Sequence, residues 1–214
     1  MTMRPVTLGL LALSLASACG RTPPRPAERA PALPCHCQHD ASAPHAADRP
    51  LPDTSIFGLG VPWTDQAGRA FDLASLAGTP TVVLMFYGTC RAACPVLIRD
   101  VKRVEAALTP AARARTRFLL VTFDPSNDTP ERLRELAAES HMDLSRWSLL
   151  RGADDDVRAF ATVLGMQFSR VGPGEYTHSN LITLLDPHGV VAFQLEGLQQ
   201  PVDELVRRIE GYTR

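Results

Sequence analysis

The sequence predicts an α/β fold: a central mixed sheet flanked by helices, opened by an N-terminal β-hairpin and closed by a second hairpin. Three observations carry that prediction. Thr81–Tyr87 (TVVLMFY) and Arg117–Phe123 (RFLLVTF) are continuous apolar runs rich in strand-forming residues, as in strands buried on both faces. Segments with helical periodicity follow each of them. Two further apolar runs, in NLITLL and VVAFQL, flank the turn-forming residues Asp186-Pro187-His188-Gly189.

Taken in order, VPWTDQAGRAFDLASLAG reads as a short hairpin turning at Ala67-Gly68, then a brief helical turn. After the first buried strand, Leu97, Val101, Val104 and Leu108 form one apolar stripe, with Arg99, Lys102, Arg103 and Glu105 off it. Thr129-Pro130-Glu131 opens a second helix, with proline at a tolerated first-turn position. Asp154 to Gly165 is a third, acidic at its start and closed by glycine. A last helix runs from about Pro201 to Tyr212. The order ββαβαβ…αββα, without internal repeats, is that of a single α/β domain.

The 214 residues suffice for one domain with a proper core plus a tail, and the net charge of −1 offers no basic field for nucleic acid. Residues 1–18 read as a signal peptide: Arg4, an apolar run from Val6 to Leu15, then Ala16-Ser17-Ala18 before Cys19. Small residues directly before a cysteine resemble the lipobox of bacterial lipoproteins, which makes Cys19 the expected lipidation site. The run is too short for a comfortable permanent membrane span. The expected address is an exported, periplasm-facing, membrane-anchored lipoprotein, in a compartment where disulfides persist. Residues 19–52, rich in Pro, Ala, Arg and His, lack apolar periodicity and read as a flexible tether; residues 53–214 form the domain.

Cys90 and Cys94 bracket three residues at the end of the first buried strand, and Pro95 follows. Proline in a helix belongs in the first turn. Both sulfurs are therefore expected at a helix start, near unpaired N–H groups and the positive end of the helix dipole, which favours thiolates. A thiolate is both nucleophile and ligand for soft metals, so the pair alone is compatible with redox chemistry and with metal binding. Metal binding needs a third ligand, and His178, just before the strand Leu181–Leu185, is the candidate.

The hairpin, the strand running into C-x-x-x-C-P, FDPSNDTPERL and HSNLITLLDPHG together resemble the Sco/SenC proteins over about Phe57 to Tyr212. That resemblance implies a thioredoxin-like fold and copper as the metal, with Cys90, Cys94 and His178 as ligands. It also implies a role in copper delivery to the copper site of cytochrome c oxidase, with thiol–disulfide reduction attributed to some members. The partners implied are an oxidase subunit or another copper-accepting protein, a thiol reductase and other copper chaperones. Two departures stand out: Arg91-Ala92-Ala93 replaces the Pro-Asp-Val common between the cysteines, and Tyr87-Gly88-Thr89 replaces Tyr-Thr-x. Thioredoxin-like oxidoreductases carry a cis-proline before the strand facing their redox pair; here the segment reads Thr177-His178-Ser179-Asn180, which tilts toward metal.

The tail segment PCHCQHD gathers Cys35, His36, Cys37 and His39, with His45 further on, into a second potential copper-capturing cluster. A disulfide between Cys35 and Cys37 is the plainer alternative. Met85, Phe86 and Tyr87 are expected as core and pocket wall, Met142 and Met166 as packing, and His141 and His188 as solvated. Asp124 and Asp128 look like loop and helix-capping residues. The leading functional expectation is a copper metallochaperone. A thiol–disulfide oxidoreductase, with Cys90–Cys94 closing as a disulfide, is the second; a thiol peroxidase using Thr89 and Arg91 is the third.

Overall fold

A computed structural model describes residues 54–214. The first of them are sewn to the turn of the closing hairpin: Ser55 Oγ donates to the His188 carbonyl at 2.6 Å and the Ile56 N–H to Gly189 at 3.0 Å. A short 3-10 turn, Ile56–Leu59, precedes the expected hairpin, β1 (Trp63–Asp65) and β2 (Ala70–Phe71). Asp65 shapes that turn by accepting the N–H groups of Ala67 and Arg69 and the Arg69 guanidinium. The brief helical turn after it is 3-10, Leu73–Leu76, capped by Asp72.

The strands β3 (Thr81–Phe86), β4 (Arg117–Thr122) and β5 (Trp147–Arg151) run parallel at the centre of a seven-stranded sheet. The closing hairpin, β8 (Leu181–Leu185) and β9 (Val191–Glu196), joins one edge antiparallel to β3, and β1 joins the other antiparallel to β5. The strand order β2-β1-β5-β4-β3-β8-β9 is the mixed sheet that the sequence predicts.

All six residues of β3 are buried, which is why its sequence shows no alternation. Its side chains still divide between two cores. Val82, Leu84 and Phe86 pack under α1 (Ala93–Ala107), α3 (Pro130–Glu139) and α5 (Asp203–Tyr212). Val83 and Met85 face the 3-10 turns and α4 (Asp154–Val163). The expected α1 stripe of Leu97, Val101, Val104 and Leu108 is buried, and so are Met142 and Met166, one in each core.

Three elements go beyond the sequence reading. The helix α2 (Pro110–Ala114) is a single Thr109-capped turn. The strand β5 is a five-residue run that completes the sheet between β4 and β1. A second, separate two-stranded sheet, β6 (Phe168–Gly172) with β7 (Glu175–His178), stands beside the main one. His178 is thus the last residue of a strand rather than a loop residue, and its backbone pairs with Phe168.

Candidate metal centre

At the end of β3 the chain makes a bend at Cys90, whose N–H donates to the Tyr87 carbonyl at 3.2 Å, and then enters α1. The N-cap position, Ala92, offers no side-chain oxygen to the helix, and the first turn contains no acid. The Cys90 sulfur takes that place, accepting the Cys94 N–H at 3.4 Å. Burial alone would push the Cys90 thiol up, but the N–H groups of Cys94 and Ala92 outweigh it and bring it down to about 7.

Cys94 behaves in the opposite way. It is 2% exposed, and burial pushes its thiol well above the usual range, with the neighbouring Cys90 adding to the effect. The expectation that both sulfurs favour the thiolate is therefore corrected: the helix start serves Cys90, while Cys94 points into the core beneath it. Both are free thiols.

The β6–β7 hairpin brings in His178. Its Nδ1 lies 3.0 Å from the Ser179 carbonyl. A carbonyl can only accept, so Nδ1 carries the hydrogen, and in the neutral ring the lone pair sits on Nε2. That Nε2 lies 3.7 Å from Cys94 Sγ. The imidazole is walled by Tyr87, edge-on at 5.9 Å, and Phe123 at 5.3 Å between ring centres. The one potential ligand atom from each of Cys90, Cys94 and His178 lies within 4.8 Å of the other two. Two sulfurs and an imidazole whose second nitrogen is held by a carbonyl fit a soft or borderline ion, and not a hard one.

Two carboxylates that read as loop and helix-capping residues in the sequence hold this assembly instead. The cap of α3 is Thr129. Asp128, 1% exposed, accepts the Gly88 N–H with both oxygens, at 3.1 and 2.9 Å, and the Thr122 hydroxyl as well. It thereby fixes the strand end from which the cysteine bend departs. Asp124, equally buried, accepts the Tyr176 phenol at 3.0 Å and Asn127 Nδ2 at 2.8 Å, with Arg170 at 3.5 Å. Tyr176 stands two residues before His178. At the hairpin tip, the Thr89 hydroxyl donates to the Gly174 carbonyl at 3.3 Å, so it is committed to the hairpin, and Arg91 is exposed. His141 is exposed and His188 half-buried in its turn. Cys19 and the tail cluster of Cys35, His36, Cys37 and His39 lie outside the described residues.

The family model for SCO1/SenC matches residues 57–214. A SCO1 protein homolog of Bacillus subtilis is 23% identical over 151 residues, covering 69% of this chain and 78% of its own length. Among solved structures, a SCO1/SenC family lipoprotein from Bacillus anthracis superposes with a TM-score of 0.66 at 22% identity, covering 72% of this chain and 92% of its own. The copper-bound ScoI of Bradyrhizobium japonicum superposes with a TM-score of 0.61 at 22% identity, covering 71% and 96% respectively. Those structures share the thioredoxin-like arrangement of sheet and helices.

Proposed function

The chain belongs to the SCO1/SenC family, and from that premise we propose that it binds copper as cargo and hands it to a partner. The observation that carries the reading is the convergence of Cys90 Sγ, Cys94 Sγ and His178 Nε2 within 4.8 Å. Copper is the ion of choice because two thiolates suit Cu(I), an added imidazole suits Cu(II), and the Bradyrhizobium relative holds copper. Transfer by ligand exchange starts at Cys90, the half-exposed sulfur, while buried Cys94 and the walled imidazole retain the ion. The reading extends to assembly of the copper site of a respiratory oxidase, the role that the family resemblance implies.

Equimolar Cu(I) or Cu(II), added to the reduced protein under anaerobic conditions, tests this reading. Wild type takes up one equivalent tightly, and His178→Ala loses most of that affinity. Equal binding by the variant overturns the ligand assignment.

One observation favours a second activity at the same pair. Cys90 is half-exposed with a thiol near 7, and Cys94 is buried and protonated beneath it. That is the asymmetry of an attacking and a resolving cysteine. Closure to a disulfide requires the sulfurs to approach to about 2.05 Å, a movement of the Cys90 bend. Reduction of an oxidised partner by the metal-free protein, abolished by Cys90→Ser, tests this activity.

Export and lipidation at Cys19 complete the proposal, supported by the small residues before Cys19 and by the lipoprotein relative of Bacillus anthracis. The tail cluster at Cys35, His36, Cys37 and His39 is proposed to collect copper for the main centre. Unchanged copper stoichiometry and loading rate in a protein lacking residues 35–45 overturn that part.

A further inference from the structure

A groove on the described surface begins at the cysteine pair and runs away from it between α1 and α3. Its volume is about 760 Å³. The apolar floor is made by Phe86, Ile98 and Leu136. Pro95, Ile98, Arg99 and Lys102 recur at helical spacing along α1, and Arg132, Leu136 and Glu139 do so along α3.

The rim is basic. Arg91 and Arg99 are exposed, and neither they nor Lys102 has a carboxylate partner among the described residues. Lys102 is held in place by donating to the His141 carbonyl at 2.9 Å. Arg132 is already paired, with Glu135 at 3.0 Å and Glu139 at 3.4 Å, and Glu139 is the acid of the lining. The groove therefore keeps three unpaired cations around an apolar floor on a chain whose net charge is −1.

We propose that this groove docks an extended, acidic segment of the copper-accepting partner, laying that segment's metal-binding end against Cys90. The identity of the partner rests on the copper reading above; the groove's preference for an acidic chain does not. Seven helical steps lead from Pro95 to Lys102, about 10 Å, the span of roughly three extended residues. The groove is partly open to solvent, unlike small-molecule sites, which enclose most of their ligand. An extended chain offers alternate side chains to floor and rim, matching apolar residues to Ile98 and Leu136 and acidic ones to Arg91 and Arg99.

The geometry also sets the direction of approach. Both Cys90 and Cys94 line the groove, whereas His178 stands with the β6–β7 hairpin and does not. A segment lying in the groove meets the sulfurs from the helix side, and the imidazole holds the ion from the hairpin side.

The test is fluorescence anisotropy with the full-length protein and two labelled eight-residue probes, one alternating Glu and Leu, the other alternating Lys and Leu. The Glu probe is expected to bind the better, and its affinity to fall with added salt. The double variant Arg91→Glu/Arg99→Glu, checked for folding by circular dichroism, is expected to weaken it by about tenfold or more. Equal binding of the two probes, or an unchanged affinity in the folded double variant, overturns the proposal. The titrations are run on metal-free wild type and His178→Ala, where the Glu probe is expected to bind equally, so failure of the copper reading leaves this result standing on its own. Loss of probe binding in His178→Ala places the contact on the hairpin side and overturns the groove assignment.

Discussion

The phenol of Tyr176 donates to the buried carboxylate of Asp124 at 3.0 Å, and this bond ties the His178 hairpin to the end of the central sheet. The guanidinium of Arg170 lies over the Tyr176 ring and donates to its oxygen at 2.8 Å. Tyr176→Phe keeps the ring packed on Phe123 and Tyr87 and removes the phenol oxygen, with its bond to Asp124 and those it accepts from Arg170. Together these losses cost about 1–2 kcal/mol, so copper affinity is expected to fall by roughly five- to thirtyfold without loss of fold. Competition titration against a copper chelator measures it; an unchanged affinity separates these bonds from the placement of His178.

Gly88 is required by contact rather than by conformation. A Cβ there would lie 2.2 Å from Asp128 Oδ1, an oxygen already bonded to the Gly88 N–H. Gly88→Ala is expected to cost about 2 kcal/mol or more, lowering the melting temperature by roughly 4–8 °C. Thermal unfolding followed by circular dichroism checks this. A melting temperature within a degree of wild type means that Asp128 moves freely.

Burial holds the Asp128 carboxyl above its ordinary value of 3.8, against the opposing bonds from Thr122 and Gly88. The folded state then binds that proton more tightly than the unfolded state does. Its contribution to stability is complete below 3.8 and is lost as pH rises through the raised value. Wild type compared with Asp128→Asn, melted across the acid range, is expected to lose relative stability as pH rises through that window. A relative stability that rises with pH contradicts the dominance of burial.

Alkylation by iodoacetamide should split the two cysteines of the metal-free protein. Cys90 is expected to react with a midpoint near pH 7, since its thiol is brought down to about 7. Cys94, buried and raised, should stay unreacted until strongly alkaline pH. Peptide mapping by mass spectrometry reads both sites in one sample. Comparable rates at pH 7 would contradict the asymmetry.

The central strands were legible because burial on both faces leaves an uninterrupted apolar run, as in Thr81–Phe86. The α1 stripe was legible because one face packs on the sheet. The β6–β7 hairpin was not: three of the five residues from Phe168 to Gly172 are exposed, so no hydrophobic period marks them. It is held by named bonds to Asp124 and Thr89, and bonds between residues 52 and 85 positions apart leave no local pattern. The same holds for Asp128, which bonds Gly88 across 40 positions while sitting directly before a helix-capping Thr129. The trio of candidate ligands was legible through the cysteine spacing, the histidine before a strand and the family resemblance. The inequality of its two sulfurs depends on depth, which spacing does not encode.

The strand β3 runs toward Cys90, whereas Ser55 and Ile56 are fastened to the His188–Gly189 turn beyond its opposite end. Six strand residues put about 20 Å between those two poles. Any leash pulling on residue 54 therefore loads the foot of the domain and leaves the crown at Cys90 unstrained. With the foot held, the end of the domain that carries Cys90 faces away from the point of attachment.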